Sequence, residues 1–413
     1  MKQLTLILSF LLSVVASYGE TPTVKNIPLP FATGVSEHNY TGSRMTLEEE
    51  TLYVPTTNGI WSINVNSPEN GWTSCGFEGE NLIDFIRNGD EWLALTRNRN
   101  MRLLLRSTDN GTTVEDYTPY DLFPDNKYRT VARLCQDPIN PNVIYLLSGY
   151  VGILKSMDFG KSWTQLTDEC NRNQSYCGFE IHPLNTDILL NHAENGAMQP
   201  TIRISFNGGK DWISSNEWPK KDIILPDFPN YAEDCIHDVA FHPTDLNTWI
   251  FGGEDVIAKS TDQGRTWTHK ADSWGYQYCT QFDTENSETI YSVGVNNHPI
   301  GGFLFMLSED CGEIWEKVFH YQPDNSDWYG YTDMKQTKEH LILLGGENLF
   351  VVSKRDLRNS SGVEEIEANE TADEIGNLYS IDGRLLNMGI SRQDIPNLPK
   401  GIYIHNGSKI VVK

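Results

Sequence analysis

Five copies of one octapeptide pattern recur along the chain at nearly even intervals. They begin at Ser107 (STDNGTTV), Ser156 (SMDFGKSW), Ser205 (SFNGGKDW), Ser260 (STDQGRTW) and Ser308 (SEDCGEIW), with spacings of 49, 49, 55 and 48 residues. A repeat of that period constrains the fold more than any single residue does. Each unit is one supersecondary element that buries its apolar face only against its neighbours. The pattern S-x-[DN]-x-G-x-x-W has separable parts. Ser and Asp side chains accept hydrogen bonds from backbone N–H groups inside a tight turn, Gly takes a positive φ, and Trp fills an apolar slot between strands. The expected local structure is a strand–turn–strand corner.

In this pattern the chain resembles the Asp-box (BNR) repeat proteins, among them sialidases, xyloglucanase-like glycoside hydrolases, sortilin-type receptors and photosystem assembly factors. The resemblance implies boxes on the turn between the third and fourth strands of a propeller blade, away from the face where ligands bind. It gives Asp109, Asp158, Asn207, Asp262 and Asp310 a structural role. Few other oxygen ligands flank each acid, so calcium is not expected there. True sialidases are implied to have six blades, an arginine triad and an early F/Y-R-I-P tetrapeptide. That tetrapeptide is absent, and the nearest arginine at that end is Arg44 in GSRMTL, which disfavours a sialidase.

Ahead of the boxes stand apolar segments interrupted by turns, as in VARLCQDPINPNVIYLL, FEIHPLNTDILLNH and DVAFHPTDLNTWIFGG. Strands of this length with Asn-Pro and Pro-Thr-Asp turns suit a four-stranded blade. Five blades follow directly. A sixth runs from Arg44, its box decayed around Ser67 to Trp72, and a seventh runs from Thr332 with three strands and no box. The missing strand is expected from the N-terminal segment around Ile27 to Phe31, which closes the ring and removes sheet edges. The fold class expected is all-β: a seven-bladed β-propeller with four-stranded blades, followed by a small C-terminal β-sandwich-like sorting domain.

That last domain is read from the chain end. The runs NLYSIDGRLLNMG and DIPNLPKGIYIHNGSKIVVK are strand-like and punctuated by Asp-Gly, Pro and Asn-Gly turns. Tyr379, Asp382, Gly383, Arg384, Leu398, Pro399, Gly401, Tyr403, Gly407 and the terminal Lys413 resemble the C-terminal sorting domain of the type IX (Por) secretion system. The resemblance implies the type IX machinery as a partner, export across the outer membrane and release or attachment at the cell surface. At the other end, Lys2, an apolar run from Leu4 to Val15 and small Ala16 and Ser17 read as a secretory signal peptide. The expected organisation is a signal peptide at 1–19, the propeller at 20–358, an acidic linker at 359–376 and the sorting domain at 377–413. No transmembrane segment is expected in the mature protein.

With 56 acidic and 32 basic residues, the net charge is -24. A polyanion is repelled over much of such a surface, so nucleic acid is not an expected partner. Of seven cysteines, Cys170 and Cys177 enclose a short polar loop and form the expected disulfide in an oxidising compartment. Cys235 and Cys279 are placed either to pair or to pack, and Cys75, Cys135 and Cys311 have no obvious partner. An odd number leaves at least one free thiol. No cysteine spacing suggests zinc, and the histidines form no H-x-x-x-H or H-E-x-x-H pattern, so neither metal nor cofactor is expected. His182 and His242 each precede Pro at equivalent repeat positions, which points to a turn role.

The loops opposite the boxes are long and aromatic: Asp116 to Thr130, Ser214 to Cys235, Lys270 to Cys279 and Tyr321 to Asp333. Loops on a rigid ring are where binding concentrates. Trp218, Tyr231, Trp274, Tyr276, Trp328 and Tyr329 offer flat faces suited to sugar rings. Aligning inner strands on Gly89, Pro138 and Pro243 puts Asp84, Arg133 and Asp238 at one level, with Glu180, His182, His237 and Asp333 as neighbours. Asp84 and Asp238 are the candidate carboxyl pair for glycoside hydrolysis, which needs one protonated and one ionised acid. The alternative is that both are polar plugs of the channel, bonded to backbone or water. The function expected is binding of a polysaccharide or a surface protein through the aromatic-loop face, with hydrolysis by a xyloglucanase- or sialidase-like propeller as the alternative.

Overall fold

The computed structural model describes residues 21–33, 43–96, 104–122, 131–148, 152–167, 177–195, 199–215, 222–226, 236–273, 275–297, 300–321, 333–360, 363–364, 375–380, 384–391, 394–395, 398–399, 401–405 and 408–412. Chain contacts separate Pro22–Leu357 from a unit that holds the C-terminal Arg358–Lys413. Pro22–Leu357 forms seven four-stranded antiparallel sheets. Blade 1 comprises Thr46–Glu48, Thr51–Thr56, Gly59–Asn64 and Thr73–Ser74; blade 2, Leu82–Asn88, Glu91–Thr96, Leu104–Ser107 and Glu115–Asp116; blade 3, Val131–Gln136, Ile144–Ser148, Gly152–Ser156 and Thr164–Gln165. Blade 4 comprises Cys177–Ile181, Leu189–Asn195, Gln199–Ser205 and Ile213–Ser214; blade 5, Ile236–Phe241, Trp249–Gly253, Ile257–Ser260 and Thr268–Ala271; blade 6, Gly275–Phe282, Ile290–Asn297, Ile300–Ser308 and Glu316–Tyr321.

Blade 7 takes three strands from the chain end, Asp333–Gln336, His340–Leu344 and Asn348–Ser353, and its fourth from the N-terminal Val24–Pro28. Val24 pairs with Val352 and Pro28 with Asn348. The closing strand therefore starts a few residues before the expected Ile27–Phe31. Pro28 ends it, since proline has no N–H to continue a ladder. Closure is tightened by Trp72, whose indole N–H donates to the Pro28 carbonyl at 2.9 Å.

All five box corners lie between the third and fourth strands and repeat one hydrogen-bond set. The serine Oγ accepts the glycine N–H at 2.7 to 2.9 Å. The same hydroxyl donates to Oδ1 of Asp109, Asp158, Asn207, Asp262 or Asp310. That Oδ1 in turn accepts the backbone N–H four residues on, at 2.8 to 2.9 Å. Each corner has two successive left-handed residues rather than glycine alone: Asn110, Phe159, Gly208, Gln263 and Cys311 precede the glycine at φ of 54, 55, 70, 61 and 58°. The indoles of Trp212, Trp267 and Trp315 donate back to the glycine carbonyl three residues earlier.

The first-to-second-strand turns share the box face, because strands one and three run in the same direction. Asp137 caps its turn by accepting the N–H groups of Ile139 and Asn140, and Asp283 does the same for Glu285 and Asn286. His182 and His242 occupy this position in blades 4 and 5, their Nδ1 atoms accepting from Leu184 and from Thr244 and Asp245. Burial pushes the His182 imidazole down to about 4, so it is neutral and serves as an acceptor in the turn. After Ser353 a short helix, Lys354–Ser360, stands where blades 2 to 6 carry a box. Its buried Lys354 ammonium lies 2.9 Å from Asp283 of blade 6.

The C-terminal unit is a five-stranded sheet ordered Val363–Glu364, Ser408–Val412, Gly401–His405, Ile375–Ser380 and Leu385–Ser391, with the first pair parallel. Leu378, Ile390, Ile395 and Val412 form its small core. Tyr403 Oη donates to the Pro399 carbonyl at 2.7 Å, tying together two residues of the LPKGIY run. Among the described residues, no helix is long and apolar enough to cross a membrane.

Candidate functional site

Inner strands of blades 2, 3, 5 and 6 each carry an irregularity at the same level, between Leu82 and Asp84, Val131 and Arg133, Ile236 and Asp238, and Gln277 and Cys279. A bulge inserts one residue and re-aims the next. The residues so placed, with their counterparts in the other blades, form a ring: Arg44, Asp84, Arg133, Gly178, Asp238, Cys279 and Asp333 for blades 1 to 7. The alignment of Asp84, Arg133 and Asp238 read from the repeat agrees with this register.

Three of the ring's acids make one contact in common. Asp84 Oδ2 accepts the N–H of Leu134 in blade 3, Asp238 Oδ2 that of Thr280 in blade 6, and Asp333 Oδ2 that of Met45 in blade 1, at 2.9, 2.8 and 2.7 Å. In each case Oδ1 accepts the N–H of the next residue in its own strand, Phe85, Val239 or Met334. Each carboxylate therefore brackets two neighbouring inner strands, the seam from blade 7 to blade 1 included.

Blade 4 solves the same problem differently. Gly178 stands at the ring position, and a Cβ there would lie 1.8 Å from His192 Nε2. The imidazole of His192, from the second strand, fills that space and meets the blade 5 seam through Nδ1 and the Ile236 carbonyl at 2.8 Å. Its Nε2 stands 3.9 Å from Glu180 Oε1. Nothing in the repeat pattern marked His192, because the constraint lies in the absent side chain of Gly178.

Along the axis runs a cavity of about 390 Å³. It is lined by Arg44, Arg133, Glu180, Asp238 and Asp333 of the ring level, by Tyr278 and Lys335, and by Pro183, Pro243 and Thr284 of the box-side turns. Charges in it are mostly paired. Arg133 Nη1 lies 2.6 Å from Glu180 Oε1, and Lys335 Nζ lies 3.0 Å from Asp333 Oδ2. Burial would push the Glu180 carboxyl up, but Arg133, with His192 and Arg44, holds it well below the usual range. Burial and the negative Glu180 push Asp238 up, and burial does the same to Asp84. Arg44 donates to Cys135 Sγ at 3.9 Å. Burial raises that thiol to about 12, so it is protonated and is no nucleophile.

Beside the cavity, the bulge residues of two blades meet. His237 packs on Tyr278 with ring centres 4.7 Å apart, Tyr278 stacks on Tyr276, and His237 Nε2 is 3.6 Å from Glu254 Oε1. Tyr276, expected in a loop, belongs to the inner strand Gly275–Phe282. Alternating Tyr276, Tyr278 and Thr280 extend that strand upward, where β-branched and aromatic residues favour pairing over loop.

The structure thus brings Arg133, Glu180, Asp238 and Asp333 to one cavity, sets His237 and Tyr276 at its side, and leaves Asp84 as a seam bracket. Sequence reading missed His192, Lys335 and Tyr278 and gave Arg44 no role in binding. Arg44 was discoverable, since it precedes Met45 as Arg133 precedes Leu134. The expected aromatics Trp218, Tyr231, Trp274, Trp328 and Tyr329, the Cys170 and Cys177 side chains, Cys235, the 1–19 signal peptide and most of the 359–376 linker lie outside the described residues. Cys75, Cys135 and Cys311 are free thiols. Among the described residues, no cluster of His, Cys, Asp and Glu is arranged to hold a metal ion.

No protein-family model matches the chain, and no curated protein matches it. Solved structures do. A GH74 xyloglucanase from Xanthomonas campestris superposes with a TM-score of 0.53 at 13% identity over 80% of this chain. The chain spans about half of that enzyme, 53% of its length. YCF48 from Cyanidioschyzon merolae gives a TM-score of 0.55 at 12% identity, covering 81% of this chain and 99% of YCF48. Another match is a structure titled as YCF48 bound to D1 peptide, with a TM-score of 0.53 at 14% identity, over 80% of this chain and 96% of that one. At these identities the likeness establishes the propeller fold.

Proposed function

We propose that this protein is a non-catalytic Asp-box propeller that binds a glycan by receiving one of its sugar residues in the axial cavity. The observation that carries the reading is the use of the ring acids. Asp84 and Asp238, the expected hydrolytic pair, each spend both oxygens on backbone N–H groups, Oδ1 on the next residue of its own strand and Oδ2 across a blade seam. A carboxylate so occupied is poorly placed to give or take a proton at a glycosidic oxygen. What remains in the cavity suits hydroxyl recognition: the Arg133–Glu180 and Lys335–Asp333 pairs offer fixed donors and acceptors, and the Tyr278 ring offers an apolar face. We further propose export through the type IX route and a place at the cell surface, on the strength of the signal-like 1–19 and the sorting-like 377–413.

Binding of the purified chain to a glycan array tests this. Wild type is expected to retain a subset of glycans unchanged, and Glu180→Gln to lose them while melting normally. An array blank for the wild type, or one indifferent to Glu180→Gln, defeats the proposal.

One observation favours hydrolysis as a second reading: Glu180 and Asp238 share the cavity and are pushed in opposite directions, the asymmetry that an acid and base pair requires. Under that reading wild type releases reducing sugar from a polysaccharide, and Glu180→Gln and Asp238→Asn each abolish release. An inert wild type against xyloglucan and sialylated substrates removes it.

A further inference from the structure

The box of blade 2 lacks the residue that completes the others. Its eighth position is Val114, where blades 3 to 6 carry Trp163, Trp212, Trp267 and Trp315. The boxes of blades 2 and 4 lie against the residue that follows the preceding blade's outer strand. A Cβ on Gly209 would meet Leu166 of blade 3, and one on Gly111 would meet the Cys75 carbonyl of blade 1. In blade 4, Trp212 and Leu166 pack on one cluster with Tyr145 of blade 3. In blade 2 the corresponding cluster holds Val114 with Cys75 and Tyr53 of blade 1. Phe77 makes up part of the missing volume. It is buried, and its N–H donates to the Gly111 carbonyl at 2.9 Å, the counterpart of the carbonyl that the indoles of Trp212, Trp267 and Trp315 use in their own boxes. The rest stays open as a cavity of about 810 Å³ between blades 1 and 2, walled in part by Tyr53, Cys75, Trp92 and Val114. Asn110 and Gly111 of the box also line it, so it opens on the box face and shares no lining residue with the axial cavity.

We propose that this cavity is a second binding site and that it receives a tryptophan side chain of a partner polypeptide whose flanking residues are basic. The site does not depend on the glycan reading. Its shape is argued from the molecule's own repeats: blades 3 to 6 each seat an indole on the clusters at this place, and blade 2 presents the same kind of apolar wall without one. An indole buries about 150–250 Å² and pairs well with other aromatic rings, here Tyr53 and Trp92. A cavity of about 810 Å³ has room for that ring and for the residues beside it. Charge selects those residues. Among the described residues the lining acids are Glu78 and Glu80, and the lining cation, Arg87, is already held by Glu48 at 2.6 Å. Arg87 is also fixed over the rings of Tyr53 and Trp92, 4.7 and 5.2 Å from their centres. The pocket is therefore net negative on a chain of net charge -24, which draws Lys or Arg beside the incoming ring and repels an acidic segment.

The test is calorimetric titration of the full chain with the acetylated and amidated pentapeptide GKWKG, and with GKAKG and GEWEG for comparison. Wild type is expected to bind GKWKG about 10-fold or more tightly than either of the others, the usual weight of a buried tryptophan anchor and of matched charge. Val114→Trp, which supplies the indole from the chain itself, should weaken GKWKG by about 10-fold or more. Where Val114→Trp does not fold, wild type decides through Cys75, a free thiol on the cavity wall. Saturating GKWKG should slow alkylation of Cys75 by iodoacetamide several-fold, read by peptide mass spectrometry, while Cys311, a free thiol in the box of blade 6, reacts as before. Equal binding of GKWKG and GKAKG overturns the proposal, as does a folded Val114→Trp protein that binds like wild type, or a Cys75 that the peptide leaves unprotected. A preference for GEWEG overturns the assignment of basic flanks. Protection of Cys75 by methyl β-D-glucoside in place of the peptide makes the cavity a sugar site and overturns the polypeptide partner.

Discussion

Replacing Ser260 by Ala removes the hinge of one corner while leaving the strand sequence otherwise intact. Ser260 is 1% exposed, and its Oγ accepts the Gly264 N–H at 2.8 Å and donates to Asp262 Oδ1 at 2.8 Å. Alanine leaves the buried Gly264 N–H without an acceptor, a loss of about 1–3 kcal/mol, and removes two further bonds to Asp262, of which the 3.3 Å one from its N–H is weak and the other is worth about 0.5–1.5 kcal/mol. The expected destabilisation is roughly 2–4 kcal/mol. A unit of about 340 residues carries an unfolding entropy near 0.7 kcal/mol/K at about 2.1 cal/mol/K per residue. Differential scanning calorimetry should therefore find Tm lower by roughly 3–6 °C. Asp262→Asn is the control, since blade 4 already uses Asn207, whose Oδ1 accepts the Asp211 N–H at 2.9 Å while its Nδ2 donates to Asp211. In blade 5 the Thr266 hydroxyl can accept instead, so Asp262→Asn should cost under about 1 kcal/mol. A Ser260→Ala protein that melts with wild type, or an Asp262→Asn protein hurt as much as Ser260→Ala, refutes the account of the corner.

Two more expectations follow from the same geometry. Gly178→Ala should destabilise by about 2 kcal/mol or more, because the new methyl displaces the His192 ring and breaks its bond to Ile236. The double variant with His192→Ala should be more stable than the additive sum, and strict additivity in urea titrations would show that the two residues do not compete for one space. The second concerns acid. Asp109 is held below its ordinary value by hydrogen bonds, first that of the Thr113 N–H. Asp158 and Asp262 are likewise lowered, their hydrogen bonds outweighing burial. Because the folded values lie below the unfolded one of about 3.9, these groups stabilise the fold above that pH and cease to do so as pH falls through the folded values. Urea midpoints measured from pH 5 to pH 2.5 should drop over that window, less steeply in Asp262→Asn; a midpoint that rises on acidification contradicts the assignment.

Much of the ring was legible before any coordinates. Ser107, Ser156, Ser205, Ser260 and Ser308 report a local turn, and a turn is built from neighbours in sequence, so its residues and its period stand together in the text. The same locality made His182 and His242 readable as turn residues. It also exposed the level of Asp84, Arg133 and Asp238, because each lies a set distance before the turn. Local reading placed Tyr276 in a loop, since strand extension beyond a short apolar run depends on the partner strand Ile290–Asn297.

The amino-acid order determined the repeat, the number of blades and the need for a borrowed closing strand, because those follow from short-range turn chemistry and from the requirement that each sheet cover its neighbour. Tertiary structure alone decided that Asp84, Asp238 and Asp333 bracket seams and that Asp238 and Asp333 also line the axial cavity. Asp238 meets Thr280, Asp333 meets Met45, and Arg44 is left without a carboxylate in hydrogen-bond contact. Those outcomes depend on pairing between residues 42 and 288 positions apart in the bracketed cases, and electrostatic partnership at the axis is set by distance through space, which residue spacing along a chain does not encode.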